Sequence, residues 1–245
     1  MTNPLDQLVA AYDESNPYSF DNEIMLSWYA HRISLLIGVV PKLLELGIGH
    51  GIASSTLSKQ ADSHTIIEGS ETIIDRFKKQ FPECKSNIIH SYFEDYLPDN
   101  DTLFDVIIMG FVLEHVDDPH VILTKYKRYL SPKGKLFIAV PNADVLNRRL
   151  GFIMGILDDL KMLSPNDVAL GHQRFYNIDS ICQEIQRAGL LVTAKEGIYL
   201  KPFTSEQMRS LTLNRSVYHA LCQVGIDYPD LCCGILIEAC ADRTT

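Results

Sequence analysis

The sequence predicts an α/β protein whose mostly parallel, doubly wound sheet has seven strands. Two observations predict this class: apolar, β-rich runs alternate with helical patterns, and a glycine-rich turn follows the first run. Strands that alternate with helices favour a parallel sheet covered on both faces. The predicted strands are residues 39–46, 64–68, 85–93, 104–110, 135–141, 190–200 and 232–241.

Three connecting segments have the apolar spacing of amphipathic helices. In residues 70–81 and 178–188 the apolar side chains recur at helical spacing. Asp118 and Pro119 supply an N-cap and a proline at the first helical position, which predicts a helix over 120–130. These helices complete the alternating pattern.

Three further segments do not belong to that alternation. Residues 12–38 are predicted as a helical cover in front of the first strand. Residues 142–176 and 203–229 are predicted as helical insertions, and we expect both to act as lids over the carboxyl edge of the sheet. The length fits one domain over residues 1–245.

Composition excludes several classes of protein. The net charge of −9 argues against a nucleic-acid partner, because phosphate binding requires clustered Lys and Arg. No apolar run reaches the roughly 20 residues of a membrane helix, and the acidic N-terminus does not resemble a signal peptide. The six cysteines lack CxxC spacing, so we expect reduced thiols in a cytoplasmic protein, without a metal site.

The glycine turn "GIGHG" identifies the class of ligand. Gly47 and Gly49 fit the first two positions of a dinucleotide-binding GxGxxG motif, but Ile52 occupies the third, and the last glycine is Gly51. Glu45, two residues before the turn, suits a cationic ligand group better than a pyrophosphate.

The second strand ends at Glu68, 21 residues after Gly47, where a carboxylate can accept hydrogen bonds from both hydroxyls of a ribose. A ribose, a cationic tail and no pyrophosphate together describe S-adenosylmethionine (SAM), whose demethylated product is S-adenosylhomocysteine (SAH).

Five segments resemble, in order, the motifs of class I SAM-dependent methyltransferases. They are "LLELGIGHG", "TIIEGS", "SYFEDYLPD", "FDVIIMGFVLEHVDDP" and "YLSPKGKLFIAVPN". The resemblance implies a Rossmann-like, seven-stranded sheet whose antiparallel last strand inserts between strands five and six. It implies that Glu45, Gly47 and Gly49 bind the methionine end, that Glu68 binds the ribose, and that other residues line the rest of the cofactor. The cofactor-binding residues expected are Tyr18, Arg32, Glu45, Gly47, Gly49, Glu68, Ser70, Phe93, Glu94, Met109 and Gly110.

Two parts of this assignment leave alternatives open. Tyr92 stands where many family members have an Asp for the adenine amino group, so Glu94 or a backbone carbonyl takes that role. Tyr18 and Arg32 resemble residues that close over SAM, but a core tyrosine and a surface arginine explain them equally well.

The acceptor side depends on the segments after strands four and five. His115 is a candidate general base, or it orients its loop. In "GHQRFY", His172, Arg174 and Tyr176 occupy alternate positions and would share one face if the segment is extended. The segment then either contacts the substrate or is a solvated loop. Both histidines are the catalytic candidates.

The segment that follows strand five contains two further substrate-binding candidates. Asn142 is near enough to reach the acceptor. Arg148 could bind a carboxylate or phosphate, although neighbouring arginines are more often solvated.

We therefore expect a methyltransferase for an oxygen or nitrogen of a small-molecule acceptor of the natural-product, quinone or surface-sugar type, because lids would enclose the acceptor. A non-catalytic SAM-binding regulator or assembly partner is the main alternative. A nicotinamide oxidoreductase and a macromolecular methyltransferase are weaker alternatives. A homodimer stays open.

Overall fold

The computed structural model describes residues 5–6, 19–99 and 102–242. All seven strands form a single sheet in the order β3-β2-β1-β4-β5-β7-β6. The strands are β1 (Val40–Leu46), β2 (Ala61–Glu68), β3 (Asn87–His90), β4 (Phe104–Gly110), β5 (Leu130–Pro141), β6 (Leu190–Ile198) and β7 (Gly234–Ala241).

The pairing confirms the predicted topology. In sheet order, the neighbouring strands β3, β2, β1, β4 and β5 pair in parallel, whereas β7 pairs antiparallel with both β5 and β6. The predicted strands match in order, but their ends differ; the third is shorter than predicted and the fifth longer.

Nine described α-helices cover or flank the sheet. They are α1 (Ser19–Ile37), α2 (Ile52–Leu57), α3 (Glu71–Gln80), α4 (Pro119–Lys127), α5 (Leu146–Ile153), α6 (Pro165–Ala169), α7 (Ile178–Arg187), α8 (Ser205–Ser210) and α9 (Arg215–Gly225). As predicted, Asp118 caps α4 through its side chain and Pro119 follows at the first helical position.

The central strands are apolar on both faces because helices cover both. Along β4, Val106 and Ile108 pack with α1 and α9, whereas Ile107 and Met109 pack with α4 and α7. Alternation of side chains along a strand divides one apolar run between two cores.

The predicted insertions differ in where they lie. Residues 142–176 contain α5 and α6, and Leu170, Gly171 and His172 reach the carboxyl edge of the sheet. Residues 203–229 contain α8 and α9, whose Met208 and Cys222 pack in the core beside α1. No residue of this second segment lines the main cavity, but Arg209 lines a neighbouring cavity beside the glycine turn, so the role of the segment as a lid stays a prediction.

Candidate active site

The glycine turn begins where β1 ends, and three of its residues need the left-handed backbone region. Gly47, Gly49 and Gly51 have φ angles of 78°, 54° and 75°. A Cβ at Gly51 would lie 2.6 Å from the ring of Phe77 on α3. This glycine therefore lets α3 pack closely against the turn.

A cavity of about 450 Å³ opens beyond the carboxyl ends of β1, β2 and β4. The chain order of the sheet reverses between β1 and β4, which is where open α/β sheets bind ligands. Eight residues predicted to bind the cofactor line this cavity: Glu45, Gly47, Gly49, Glu68, Ser70, Phe93, Glu94 and Gly110.

Glu68 is held rigidly at one end of this cavity. Its Oε2 accepts the backbone N–H of Ile48 at 2.9 Å, and its Oε1 accepts the backbone N–H of Ser70 at 2.8 Å. Burial raises the pKa of Glu68, although these hydrogen bonds favour the charged form. Each oxygen keeps further acceptor capacity, as binding a ribose diol requires.

Glu45 is buried below the glycine turn and is anchored by side chains. Its Oε1 accepts the Ser54 hydroxyl at 3.0 Å, and its Oε2 lies 3.1 Å from His64 Nε2. His64 is itself buried, with Nδ1 2.7 Å from the Ser86 hydroxyl. The carboxylate is therefore fixed in position at the cavity wall.

A second polar cluster lies in the same cavity, on the loop after β4 and on the first insertion. It consists of Glu114, His115 and His172, whose ligand-type atoms all lie within 4.8 Å of one another. The two imidazole rings are 4.8 Å apart between centroids. Both predicted catalytic histidines therefore meet at one wall, beside a carboxylate that the sequence analysis did not select.

Glu114 is fully buried, and neither carboxylate oxygen has a hydrogen-bond partner among the described residues. An isolated buried carboxylate is costly, so it binds a proton or needs a positive neighbour. Burial raises the pKa of Glu114 to about 7, opposed by the positive charges of His172 and Arg174. The carboxyl group therefore exchanges its proton near neutral pH.

His115 has the opposite shift. Burial, and then the positive charge of His172, lowers the pKa of His115 to about 4. Its Nδ1 lies 3.3 Å from the carbonyl oxygen of Gly171. Because a carbonyl only accepts, Nδ1 carries the proton in this hydrogen bond, and Nε2 is left with the lone pair. At neutral pH His115 is an unprotonated potential base.

The cluster also has the composition of a metal site. One carboxylate and two imidazoles could hold a divalent cation, and the two unpaired oxygens of Glu114 fit that use. Proton transfer and cation binding both require these three side chains to lie close together. The expectation of no metal stays a prediction.

Arg174 and Tyr176 do not line the cavity. Arg174 donates hydrogen bonds to the carbonyl oxygens of Leu113, Val116 and Asp117, at distances of 2.9, 2.5 and 3.1 Å. The hydroxyl of Tyr176 is 3.5 Å from the Leu113 carbonyl. His172 lines the cavity, whereas Arg174 and Tyr176 fasten the insertion to the β4 loop instead of facing a substrate.

Asn142 and Arg148 also have internal partners. The amide nitrogen of Asn142 donates to three backbone carbonyls in the segment before β7, at 2.9 to 3.2 Å. Arg148 donates to the carbonyls of Leu160 and Met162 within the first insertion. Neither side chain lines the cavity. Their assignment as substrate ligands is therefore corrected: both side chains hold backbone segments in place.

Three cofactor assignments also change or lie outside the structure. Arg32 forms a two-bond ion pair with Glu196, at 2.6 and 2.8 Å, and does not line the cavity. Met109 is fully buried in the core because its side chain points to the α4 face. Tyr18 lies outside the described residues.

Sequence reasoning missed Glu114 and Tyr29. A carboxylate inside the apolar run "FVLEHV" was the available signal for Glu114, because an acidic residue there must be buried. Tyr29 on α1 lines the cavity, and a Cβ at Gly110 would collide with its hydroxyl. Nothing in the local pattern separates Tyr29 from a core tyrosine.

Comparison with known proteins decides the family. A methyltransferase domain family matches residues 21–195, which is more than half of the chain. The chain belongs to this family. It is similar to ubiquinone biosynthesis O-methyltransferases: that of Aeromonas salmonicida (strain A449) is 25% identical, over 79% of this chain and 80% of the relative. That of Coxiella burnetii (strain Dugway 5J108-111) is 25% identical, over 78% and 79%.

Solved structures show the same fold. The N-methyltransferase NodS from Bradyrhizobium japonicum WM9, in complex with SAH, superposes with a TM-score of 0.61 at 13% identity, covering 97% of this chain and 98% of that one. The methyltransferase therefore uses SAM as its cofactor and releases SAH. Among its described residues, no helix combines the length and apolar character that crossing a membrane requires.

Proposed function

We propose that this methyltransferase transfers the methyl group of SAM to a hydroxyl oxygen of a small molecule, of the phenol or enol type. The observation behind this proposal is the cluster of Glu114, His115 and His172 in the cavity that contains the cofactor-type residues. An oxygen acceptor arrives protonated and needs a base, whereas a neutral amine does not.

The chemistry of the cluster fits that need. His115 Nε2 accepts the hydroxyl proton as the oxygen attacks the methyl carbon; the S–CH₃ bond breaks, the O–CH₃ bond forms, and neutral SAH leaves. An ionised Glu114 beside His115 stabilises the imidazolium ion. SAM supplies the electrophile, so the remaining task of the protein is positioning and exclusion of water.

Two further observations support this class of acceptor. The relatives are named as O-methyltransferases of ubiquinone biosynthesis, which favours oxygen over nitrogen. Leu170, Gly171 and His172 of the first insertion border the cavity, which favours an acceptor small enough to be enclosed. No comparison supports a non-catalytic SAM-binding protein.

The test is a matched acceptor panel with methyl-labelled SAM and product identification by mass spectrometry. Phenols and catechols are paired with anilines of the same ring substitution. We expect O-methylated products and little N-methylation. N-methylated products from the amines, with no reaction of the hydroxyl partners, would contradict the proposal. A parallel assay with a chelator tests the metal-free expectation; loss of activity that Mg²⁺ restores would mean that a cation occupies the cluster.

We also propose that residues 1–245 form one domain and that the enzyme works in the cytoplasm. One sheet includes strands from residue 40 to residue 241, which supports a single domain. All six cysteines are free thiols, which supports a reducing compartment. That the enzyme binds no nucleic acid stays a prediction. Whether it forms a homodimer stays open.

A further inference from the structure

Leu5 occupies the space that a side chain at position 69 would need. A Cβ built on Gly69 would lie 2.5 Å from Leu5 Cδ1, which is closer than real carbon atoms approach. Its other neighbours are at ordinary distances: Tyr92 Cδ1 at 3.6 Å and the Ser91 carbonyl oxygen at 3.8 Å. Gly69 does not have a left-handed backbone either, so Leu5 is the obstacle to a side chain there.

The turn that contains Leu5 is bonded to the cofactor end of the site. The Ser70 hydroxyl donates to Asp6 Oδ1 at 2.5 Å, and the Ser70 backbone N–H donates to Glu68 Oε1 at 2.8 Å. Ser70 also caps α3 by accepting the backbone N–H of Ile73. One residue thus joins the predicted ribose carboxylate, the start of α3 and the Leu5–Asp6 turn.

Leu5 lies on the wall of the same cavity as Glu68, Tyr92 and Phe93. It contributes an apolar side chain immediately beyond Glu68, where the base follows the ribose in a nucleoside. A purine presents two flat faces that gain from apolar contact and one polar edge. A glycine at position 69 gives no such contact, and Leu5 fills the gap from a distant part of the chain.

We propose that Leu5 is an adenine-binding residue, a platform that the N-terminal turn supplies in place of a side chain at position 69. The proposal rests on SAM as the cofactor and is independent of the identity of the methyl acceptor. It extends the cofactor site to a segment before α1 that the sequence motifs do not include.

The experiment is calorimetric binding of SAH and of adenosine to the full-length chain and three variants. Leu5→Ala removes the platform. Leu5→Ala combined with Gly69→Leu moves an equivalent side chain to position 69, where the next neighbours of its Cβ after Leu5 are at 3.6 and 3.8 Å. Leu191→Ala, an exposed leucine on the edge strand β6, is the matched control. Thermal melts verify that each variant is folded.

We expect Leu5→Ala to weaken SAH and adenosine by the same factor, about tenfold, because the contact is to the adenine alone. The double variant should recover to within about threefold of the original affinity, and Leu191→Ala should change nothing. Unchanged or tighter adenosine binding by Leu5→Ala would overturn the proposal, since a leucine that merely plugs the pocket competes with the base. Failure of the double variant to recover would overturn it too. If the unaltered chain bound no SAH, the cofactor assignment itself would be at fault.

Discussion

The two ends of the cavity are built differently. At the cofactor end, Glu68 follows directly from β2 and is fixed by backbone N–H groups of the neighbouring turns. At the acceptor end, His115 and His172 come from distant segments and meet because Arg174 and Gln173 fasten the insertion to the β4 loop. The first end depends on strand ends and turns, whereas the second depends on long-range hydrogen bonds.

This difference determines what substitutions should do. Changes at the cofactor end should alter the affinity for SAM, since the groups there bind the ground state. Changes at the acceptor end should alter turnover, since the groups there act on the proton that leaves during methyl transfer. Changes in the residues that join the segments should first alter stability.

The largest effect is expected for His115→Ala and Glu114→Gln. Turnover at saturating SAM should fall by ~10²–10⁴, the range for loss of a general base and its partner, while SAH affinity stays nearly intact. His120→Ala, an exposed histidine at the start of α4, is the matched control and should behave like the original chain. Equal turnover of all variants at every pH would remove the acceptor end from this cluster.

Asn142→Ala should reduce the free energy of unfolding by about 2–4 kcal/mol, because three backbone carbonyls, one of them buried, lose a donor and the Asp144 N–H loses an acceptor. Denaturant unfolding measures this loss. Asn87→Ala, at the exposed start of β3, is the control. If Asn142 bound the acceptor instead, the Michaelis constant of the folded variant would rise with little change in stability.

These contrasts also explain how far the sequence could lead. The strand order, the capped start of α4 and the cavity-lining Glu45, Gly47 and Glu68 depend on period, capping and strand ends, which are local patterns. They were therefore predictable from the residues and from the resemblance to class I methyltransferases.

The residues that sequence reasoning misassigned are polar groups whose partners lie far along the chain. Arg32 forms an ion pair with Glu196, and Arg174 donates hydrogen bonds to backbone carbonyls of the β4 loop. An arginine that binds substrate and one that binds backbone carbonyls have the same local sequence, because both need only a guanidinium near an acceptor. Glu114 is different, because its position inside the apolar run "FVLEHV" is a local signal of burial that the sequence already contains.

A smaller effect is expected at the cofactor end. Glu68→Ala should weaken SAH binding by ~1.5–3 kcal/mol, the scale for hydrogen bonds to a charged group, and turnover at saturating SAM should change less. Glu71→Ala, an exposed carboxylate in the first turn of α3, controls for a general change in charge. An unchanged affinity for SAH would contradict the ribose assignment and weaken the contrast between the two ends.

The smallest expected effect is a pair of opposite pH dependences of stability within the acceptor cluster. The pKa of Glu114 is raised to about 7, so the folded state holds its proton more tightly, and stability falls as pH rises from the unfolded value towards 7. The pKa of His115 is lowered to about 4, so the unfolded state binds more protons, and stability rises with pH from about 4 to 6.5. In the unaltered chain the two contributions oppose each other.

Removing one group should expose the other. As pH rises from about 5 to 6.5, the free energy of unfolding of Glu114→Gln should increase by about 1–2 kcal/mol more than that of the unaltered chain. The reason is that the variant no longer has the stability loss that the raised pKa of Glu114 causes over this window. His115→Gln should lose a similar amount over the same window, because the opposing Glu114 contribution remains. Denaturant unfolding at several pH values measures both slopes. Slopes of the same sign for the two variants would mean that a bound cation or a shared charge state, not burial of separate groups, sets the protonation of this cluster.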